Sequence, residues 1–122
     1  MKQVEVYTDG ACRGNPGRGG FGVVLKYREF RREMSSGFRR TTNNRMEVLA
    51  VIAALEALKE PCILTIYSDS RYLIDTMEKG WLDRWRKNGW KNKSGDAVKN
   101  IDLWRRLFVA KIRHRCKFIW VK

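Results

Sequence analysis

The chain has 122 residues, enough for one small domain and too few for two separate cores. Apolar residues make up 43% of it, which excludes wholesale disorder, while 26 Lys and Arg against 13 Asp and Glu give a net charge of +13. An excess that large in so short a chain points to a polyanionic partner. In chain order, residues 3–8 alternate, with Val4 and Val6 on one face and Glu5, Tyr7 and Asp9 on the other, the period of a strand. A glycine-rich loop follows, and Arg18-Gly19-Gly20 is expected to turn the chain. Residues 21–27 and 30–38 then read as two antiparallel strands joined at Arg28-Glu29.

Thr41-Thr42-Asn43-Asn44 is a cluster of helix-capping residues. Which of them caps is left open, with Asn44 and Glu47 at capping-box spacing. The helix should run to about Lys59 and stop before Pro61, its apolar face formed by Val48, Leu49, Val51, Ile52 and Leu55. Residues 63–68 form a fourth strand, and Asp69-Ser70 opens a second helix that ends at Gly80. Residues 81–88 read as a short basic helix with Gly89 as its C-cap. After a polar loop, residues 100–112 show a helical period, and residues 116–121 a fifth strand. Three strands, a crossover helix, a strand, helices and a strand define an α/β fold with a mixed sheet, expected as one domain over residues 1–122. The crossover helix allows strand four to lie parallel to strand one.

Three cysteines at no metal-ligand spacing, no leader pattern and no apolar run of eighteen residues point to free thiols, a cytoplasmic setting and no membrane. The lone His114 is assigned to the surface, and Trp104 and Trp120 to core packing. Trp81, Trp85 and Trp90 are equally readable as core or as contact residues. The basic excess is clustered: residues 26–40 hold six basic and two acidic side chains, residues 81–100 six and two, and residues 105–122 seven and none.

Two places echo each other. Val6-Tyr7-Thr8-Asp9-Gly10 closes the first strand and Ile66-Tyr67-Ser68-Asp69-Ser70 closes the fourth. If these strands are parallel neighbours, the two carboxylates emerge side by side at the carboxyl ends, where open α/β sheets bind ligands. Alone, either Asp reads as a turn or cap residue. Together they repel unless a proton or a cation compensates them. Glu47, early in the crossover helix, supplies a third carboxylate. Oxygen-only donors suit hard divalent cations, Mg²⁺ first and Mn²⁺ second. Facing a basic surface, such a site suits phosphoryl transfer, in which two ions about 3.5–4 Å apart activate water and stabilise the leaving oxygen.

Over nearly its whole length the sequence resembles a type 1 ribonuclease H of the bacterial kind. The residues that carry the resemblance are YTDGACRGNPG (7–17), RTTNNRME (40–47), ALEALK (54–59), SDS (68–70), WRKNGWK (85–91), VKNIDLW (98–104) and WVK (120–122). The resemblance implies a five-stranded mixed sheet flanked by helices and endonucleolytic cleavage of the RNA strand of RNA–DNA hybrids, leaving 5′-phosphate and 3′-hydroxyl ends. It implies Asp9, Glu47 and Asp69 as metal-binding carboxylates, with the Gly10 carbonyl as an extra ligand. Cys12, Asn15, Asn43, Asn44 and position 71 match residues that touch the hybrid minor groove; position 71 is Arg71 here, where the family often carries Gln. Arg40, Thr42 and Asn100 match a pocket for a DNA phosphate. Residues 81–93 match a basic protrusion that includes Trp90 as a substrate-binding residue; Trp81 and Trp85, four apart on a helix, can pack on sugars, and Arg84, Arg86, Lys87, Lys91 and Lys93 can contact phosphates independently of sequence.

The family pattern continues past Trp-Val-Lys into a Gly/His-rich loop, a fourth carboxylate and a C-terminal helix, none of which is in this sequence. Three carboxylates give −3 against +4 for two Mg²⁺ ions, so the second ion is expected to bind weakly without substrate and activity to fall below that of a longer relative. A sheet face left without its helix is expected to favour self-association of a family otherwise monomeric. The alternative is a binding module that holds hybrids or duplexes without cutting them; a transposase-like or resolvase-like nuclease fits the TTNNRME and DGACRGNPG runs less well.

Overall fold

Alternation of apolar and polar residues makes β1 (Lys2–Cys12) a half-buried strand: Val4, Val6, Thr8 and Gly10 face inward and Glu5, Tyr7 and Asp9 outward. In the computed structural model, which describes residues 1–122, β1 lies at the centre of a five-stranded mixed sheet. Its antiparallel neighbour is β2 (Gly17–Tyr27), which pairs in turn with β3 (Phe30–Thr41). On its other side β4 (Cys62–Ser68) runs parallel, followed by β5 (Arg115–Trp120), giving the order β3-β2-β1-β4-β5. Arg18-Gly19-Gly20 does not turn the chain as expected. They belong to β2: Gly19 and Gly20 pair with β1 and β3 and Arg18 sits at a register shift, because small residues let the strand begin well before the first apolar side chain.

The crossover helix α1 (Asn43–Ala57) packs across β1 and β2. Its cap is Thr42, whose side chain accepts from the Arg45 N–H at 3.2 Å, and not the Asn44–Glu47 pair. Glu47 is 4% exposed and turned toward the sheet, so it has no route back to an N-cap amide. Replacing Thr42 by Ala should cost about 1 kcal/mol of stability, the usual worth of an N-cap, measured by urea unfolding. The remaining helices are α2 (Arg71–Glu78), α3 (Trp81–Asn88), closed by Gly89 in the left-handed region, and α4 (Ile101–Lys111), which packs on α1. The core joins Val4 and Val6 of β1, Leu64 and Ile66 of β4, Val51 and Leu55 of α1, and Trp104 and Leu107 of α4.

The opposite sheet face carries a row Val24–Tyr7–Tyr67–Ile119 beside a row Lys26–Glu5–Thr65–Lys117. Tyr7 and Tyr67 stack with ring centroids 4.8 Å apart, and Lys26 lies 5.1 Å over the Tyr7 ring. This mixed face gives the expected self-association no support.

Two assignments from sequence are corrected. Trp120, expected in the core, ends β5 at 36% exposure. His114, expected on the surface, is 8% exposed, and its Nδ1 accepts the N–H of Cys62, the first residue of β4, at 3.0 Å. The neutral ring therefore carries its proton on Nε2, which is buried without a hydrogen-bond partner. Burial, reinforced by Arg113 and opposed by the Leu55 backbone, holds the imidazole below its ordinary pKa. Above pH ~6.5 both folded and unfolded states leave this ring neutral; as pH falls below that, the unfolded chain takes up a proton first and stability drops. Urea unfolding at pH ~7.5 and ~5.5 should therefore show a larger acid loss for wild type than for His114→Gln. Equal losses would mean that His114 does not contribute.

Candidate metal centre and nucleic-acid surface

The parallel register Val6↔Ile66 and Tyr7↔Tyr67 places the two echoing segments side by side, and each carboxylate follows its strand's tyrosine by two residues. Asp9 is inside β1, paired with Gly22, while Asp69 lies just beyond β4. Glu47 reaches the same place from α1, and this requires the helix to touch the strand. Gly10 permits that contact, because a Cβ there would sit 2.6 Å from the Met46 carbonyl carbon and 2.7 Å from the Glu47 nitrogen. Carboxylate oxygens of Asp9, Glu47 and Asp69 all lie within 4.8 Å of one another.

The electrostatics match a cation site. Burial, then the charges of Asp69 and Asp9, push the Glu47 carboxyl up to about 7, with the Gly10 backbone opposing. The Oε2 atom of Glu47 is buried and has no hydrogen-bond partner. A buried carboxylate oxygen without a donor, flanked by two more carboxylates, fits a hard divalent ion. The three residues expected from sequence to share a site are thus together.

The expected substrate contacts fall into groups. The Asn15 side chain accepts from the Asn43 N–H at 3.1 Å, tying the glycine-rich loop to the start of α1, and Asn44 is exposed beside it. The half-buried Cys12 thiol donates to the Thr41 carbonyl at 3.2 Å. Thr42 and Asn100 are linked by Arg45, whose guanidinium donates to Asn100 Oδ1 at 3.3 Å and to both carboxylate oxygens of Asp102 at 3.0 and 2.8 Å. Asn100 also donates to the Tyr72 hydroxyl at 3.2 Å, and Arg40 is exposed at the end of β3. On α3, Trp81 and Trp85 pack with centroids 6.3 Å apart, and Trp85 meets the buried Trp104 edge-on at 5.9 Å. Trp90 packs on the core beneath Arg105, and Arg86 lies over Phe108 at 4.8 Å. Trp85, Arg86 and Trp90 are thus partly spent on packing. Trp81, Arg84 and Lys91 line an open concavity, and Lys87 is exposed on the same helix. Arg71 lies over the Trp120 ring at 3.7 Å to the centroid.

Sequence reasoning missed Arg45, Tyr72 and Trp120. Arg45 sits inside the TTNNRME run, but nothing along the chain marks Asp102 as its partner.

A mixed sheet on which Asp9 of β1, Asp69 just beyond β4 and the helix-borne Glu47 converge defines the class: a fold presenting an oxygen-donor cluster suited to divalent ions and phosphoryl transfer. The RNase H family model matches residues 1–122. The chain is 57% identical over 122 residues to a ribonuclease H of Syntrophus aciditrophicus (strain SB), covering all of this chain and 70% of that protein. It is 54% identical to the ribonuclease H of Oleidesulfovibrio alaskensis, covering 79% of it. The crystal structure of LC9-RNase H1, described as a type 1 RNase H with the type 2 active-site motif, superposes with a TM-score of 0.87 at 34% identity. That alignment covers all of this chain and 64% of the other. LC11-RNase H1, solved in complex with an RNA/DNA hybrid, shares the fold at a TM-score of 0.75 and 24% identity, over 97% of this chain and 84% of the other. The chain belongs to the ribonuclease H family, divalent-metal-dependent endonucleases that cleave RNA in RNA–DNA hybrids. No helix is long and apolar enough to cross a membrane.

Proposed function

We propose that this chain acts as one catalytic domain that hydrolyses the RNA strand of RNA–DNA hybrids at Asp9, Glu47 and Asp69. The observation that carries the proposal is the convergence of these carboxylates within 4.8 Å, from inside β1, just beyond β4 and early in α1. Mg²⁺, two ions with substrate bound, is the cofactor that suits the donor set, and Mn²⁺ should substitute. Such ions lower the pKa of bound water and neutralise charge on the leaving oxygen. In the balanced reaction the water oxygen bonds to phosphorus, the P–O3′ bond breaks and a proton ends on the 3′-oxygen, leaving 5′-phosphate and 3′-hydroxyl ends. Asp9, Glu47 and Asp69 would hold the ions, and the Gly10 carbonyl is assigned as a further oxygen donor.

The surface chemistry supports hybrid over other polyanions. The exposed amides of Asn15, Asn43 and Asn44 can hydrogen-bond 2′-hydroxyls in a wide, shallow minor groove without reading bases, and Cys12 and Arg71 are assigned to the same groove. Arg40, Thr42 and Asn100 are assigned to a phosphate of the DNA strand. Trp81 and Trp85 offer ring surface for sugars, and Arg86, Lys87 and Lys91, with Trp90 among them, extend a basic face through which affinity should fall steeply with salt. Unpaired thiols at Cys12, Cys62 and Cys116 support a reducing, cytoplasmic setting.

The test is a strand-specific assay. With Mg²⁺ or Mn²⁺, a hybrid labelled on either strand should lose RNA and keep DNA, while duplex DNA stays intact. Tight hybrid binding with no cleavage in either metal would replace the nuclease by the binding module.

A further inference from the structure

Asp9 and Asp69 are held differently. Asp9 is inside β1, and the ladder to β2 fixes its backbone at Gly22. Asp69 has left the sheet: the β4–β5 ladder ends at Ser68↔Trp120, closed by the Val121 N–H on the Ser68 carbonyl at 2.9 Å. After Asp69 the chain is again fixed, since the Ser70 N–H donates to Ser68 Oγ at 3.0 Å and Ser70 Oγ accepts from Leu73 N–H at 3.1 Å as the cap of α2. The peptide after Asp69 is thus held on its N–H side by Ser68 Oγ, and its carbonyl side has one further contact. Its carbonyl accepts the indole N–H of Trp120 at 3.2 Å. The indole is 36% exposed, so core packing does not fix it; Arg71, two residues beyond Asp69, covers the ring with its guanidinium 3.7 Å from the centroid.

We propose that Trp120, clamped by Arg71, is a positioning residue for Asp69: its indole N–H adds one side-chain rung to the sheet and, opposite Ser68 Oγ, completes the hold on the peptide that follows the metal-binding carboxylate. This deepens the proposed function and rests on Asp69 being a metal ligand. It also gives Arg71 a role on its own chain, through the stack, besides any contact with substrate. A plain structural role for Trp120 would change melting temperature alone; the positioning role changes metal affinity.

The test measures Mn²⁺ binding to the substrate-free protein by titration calorimetry, with melting temperatures alongside. Trp120→Phe keeps a ring for Arg71 and removes the donor. Loss of one hydrogen bond's net worth should weaken Mn²⁺ binding about threefold to tenfold. The Mg²⁺ concentration for half-maximal cleavage should rise by a similar factor, while kcat at saturating Mg²⁺ changes little. Should Trp120→Phe fail to fold, Arg71→Ala carries the test. Hydrogen exchange of the Trp120 indole, slow in wild type, should speed up and Mn²⁺ binding weaken about twofold to threefold, as loss of an exposed cation–π contact implies. A folded Trp120→Phe with wild-type Mn²⁺ affinity, or a wild-type indole that exchanges as fast as free tryptophan, overturns the positioning role alone. A wild type that binds no Mn²⁺ overturns the metal site, and the positioning role with it.

Discussion

Asp9→Asn is expected to lower hybrid cleavage by about a thousandfold or more while leaving the fold more stable in the absence of metal. The two effects come from one geometry. A metal ion contributes several kcal/mol to charge stabilisation in phosphoryl transfer, and each 1.4 kcal/mol is about a factor of ten in rate. Losing a ligand from a cluster that spans only 4.8 Å forfeits much of that. In the substrate-free, metal-free protein the same carboxylate is a burden, because it is one of the two charges that, after burial, push Glu47 up to about 7. Removing it relieves repulsion across the site, so the melting temperature in EDTA should rise by a few degrees. Hybrid affinity measured by fluorescence anisotropy in EDTA should be equal to or higher than that of wild type. A variant that loses activity and stability together would show that Asp9 supports the fold rather than the chemistry.

Gly10→Ala is expected to damage the fold and the carboxylate site together. The added Cβ would press into the Met46–Glu47 peptide group, at 2.6, 2.7 and 2.9 Å from its carbon, nitrogen and oxygen. No side chain there can rotate away, so α1 must lift from β1. Overpacking of this kind costs about 1–3 kcal/mol, and more where only backbone can yield. The helix that must move is also the one that carries Glu47. Cleavage should therefore fall by more than tenfold even where the variant remains folded, as circular dichroism would report. Wild-type kinetics in Gly10→Ala would mean that the helix-to-strand approach does not set the position of Glu47.

What the sequence made legible here was periodicity and local chemistry. The alternation in β1, the aliphatic-Tyr-hydroxyl-Asp echo and the crossover between its two copies suffice to place Asp9, Glu47 and Asp69 together, because strand period and connection length leave few other parallel arrangements. Strand ends were less legible: Gly19 and Gly20 read as a turn, yet pairing on both sides holds them in β2. Burial of single residues depended on partners remote in the chain. His114 is flanked by Arg113 and Arg115, which reads as surface, but the N–H that its ring accepts belongs to Cys62, 52 residues away. Trp120 looked like core from its strand alone; the carbonyl that it meets, on Asp69, is 51 residues distant. Hydrogen bonds of this kind are set by register between β4 and β5, and register is a property of the assembled sheet.

The most direct measurement of the central claim is an anomalous difference map from crystals soaked in Mn²⁺. The proposed site predicts a peak coordinated by oxygens of Asp9, Glu47 and Asp69, absent in crystals of Asp9→Asn soaked identically. A fully occupied Mn²⁺ bound elsewhere, with these carboxylates bare and more than a coordination sphere apart, would contradict it.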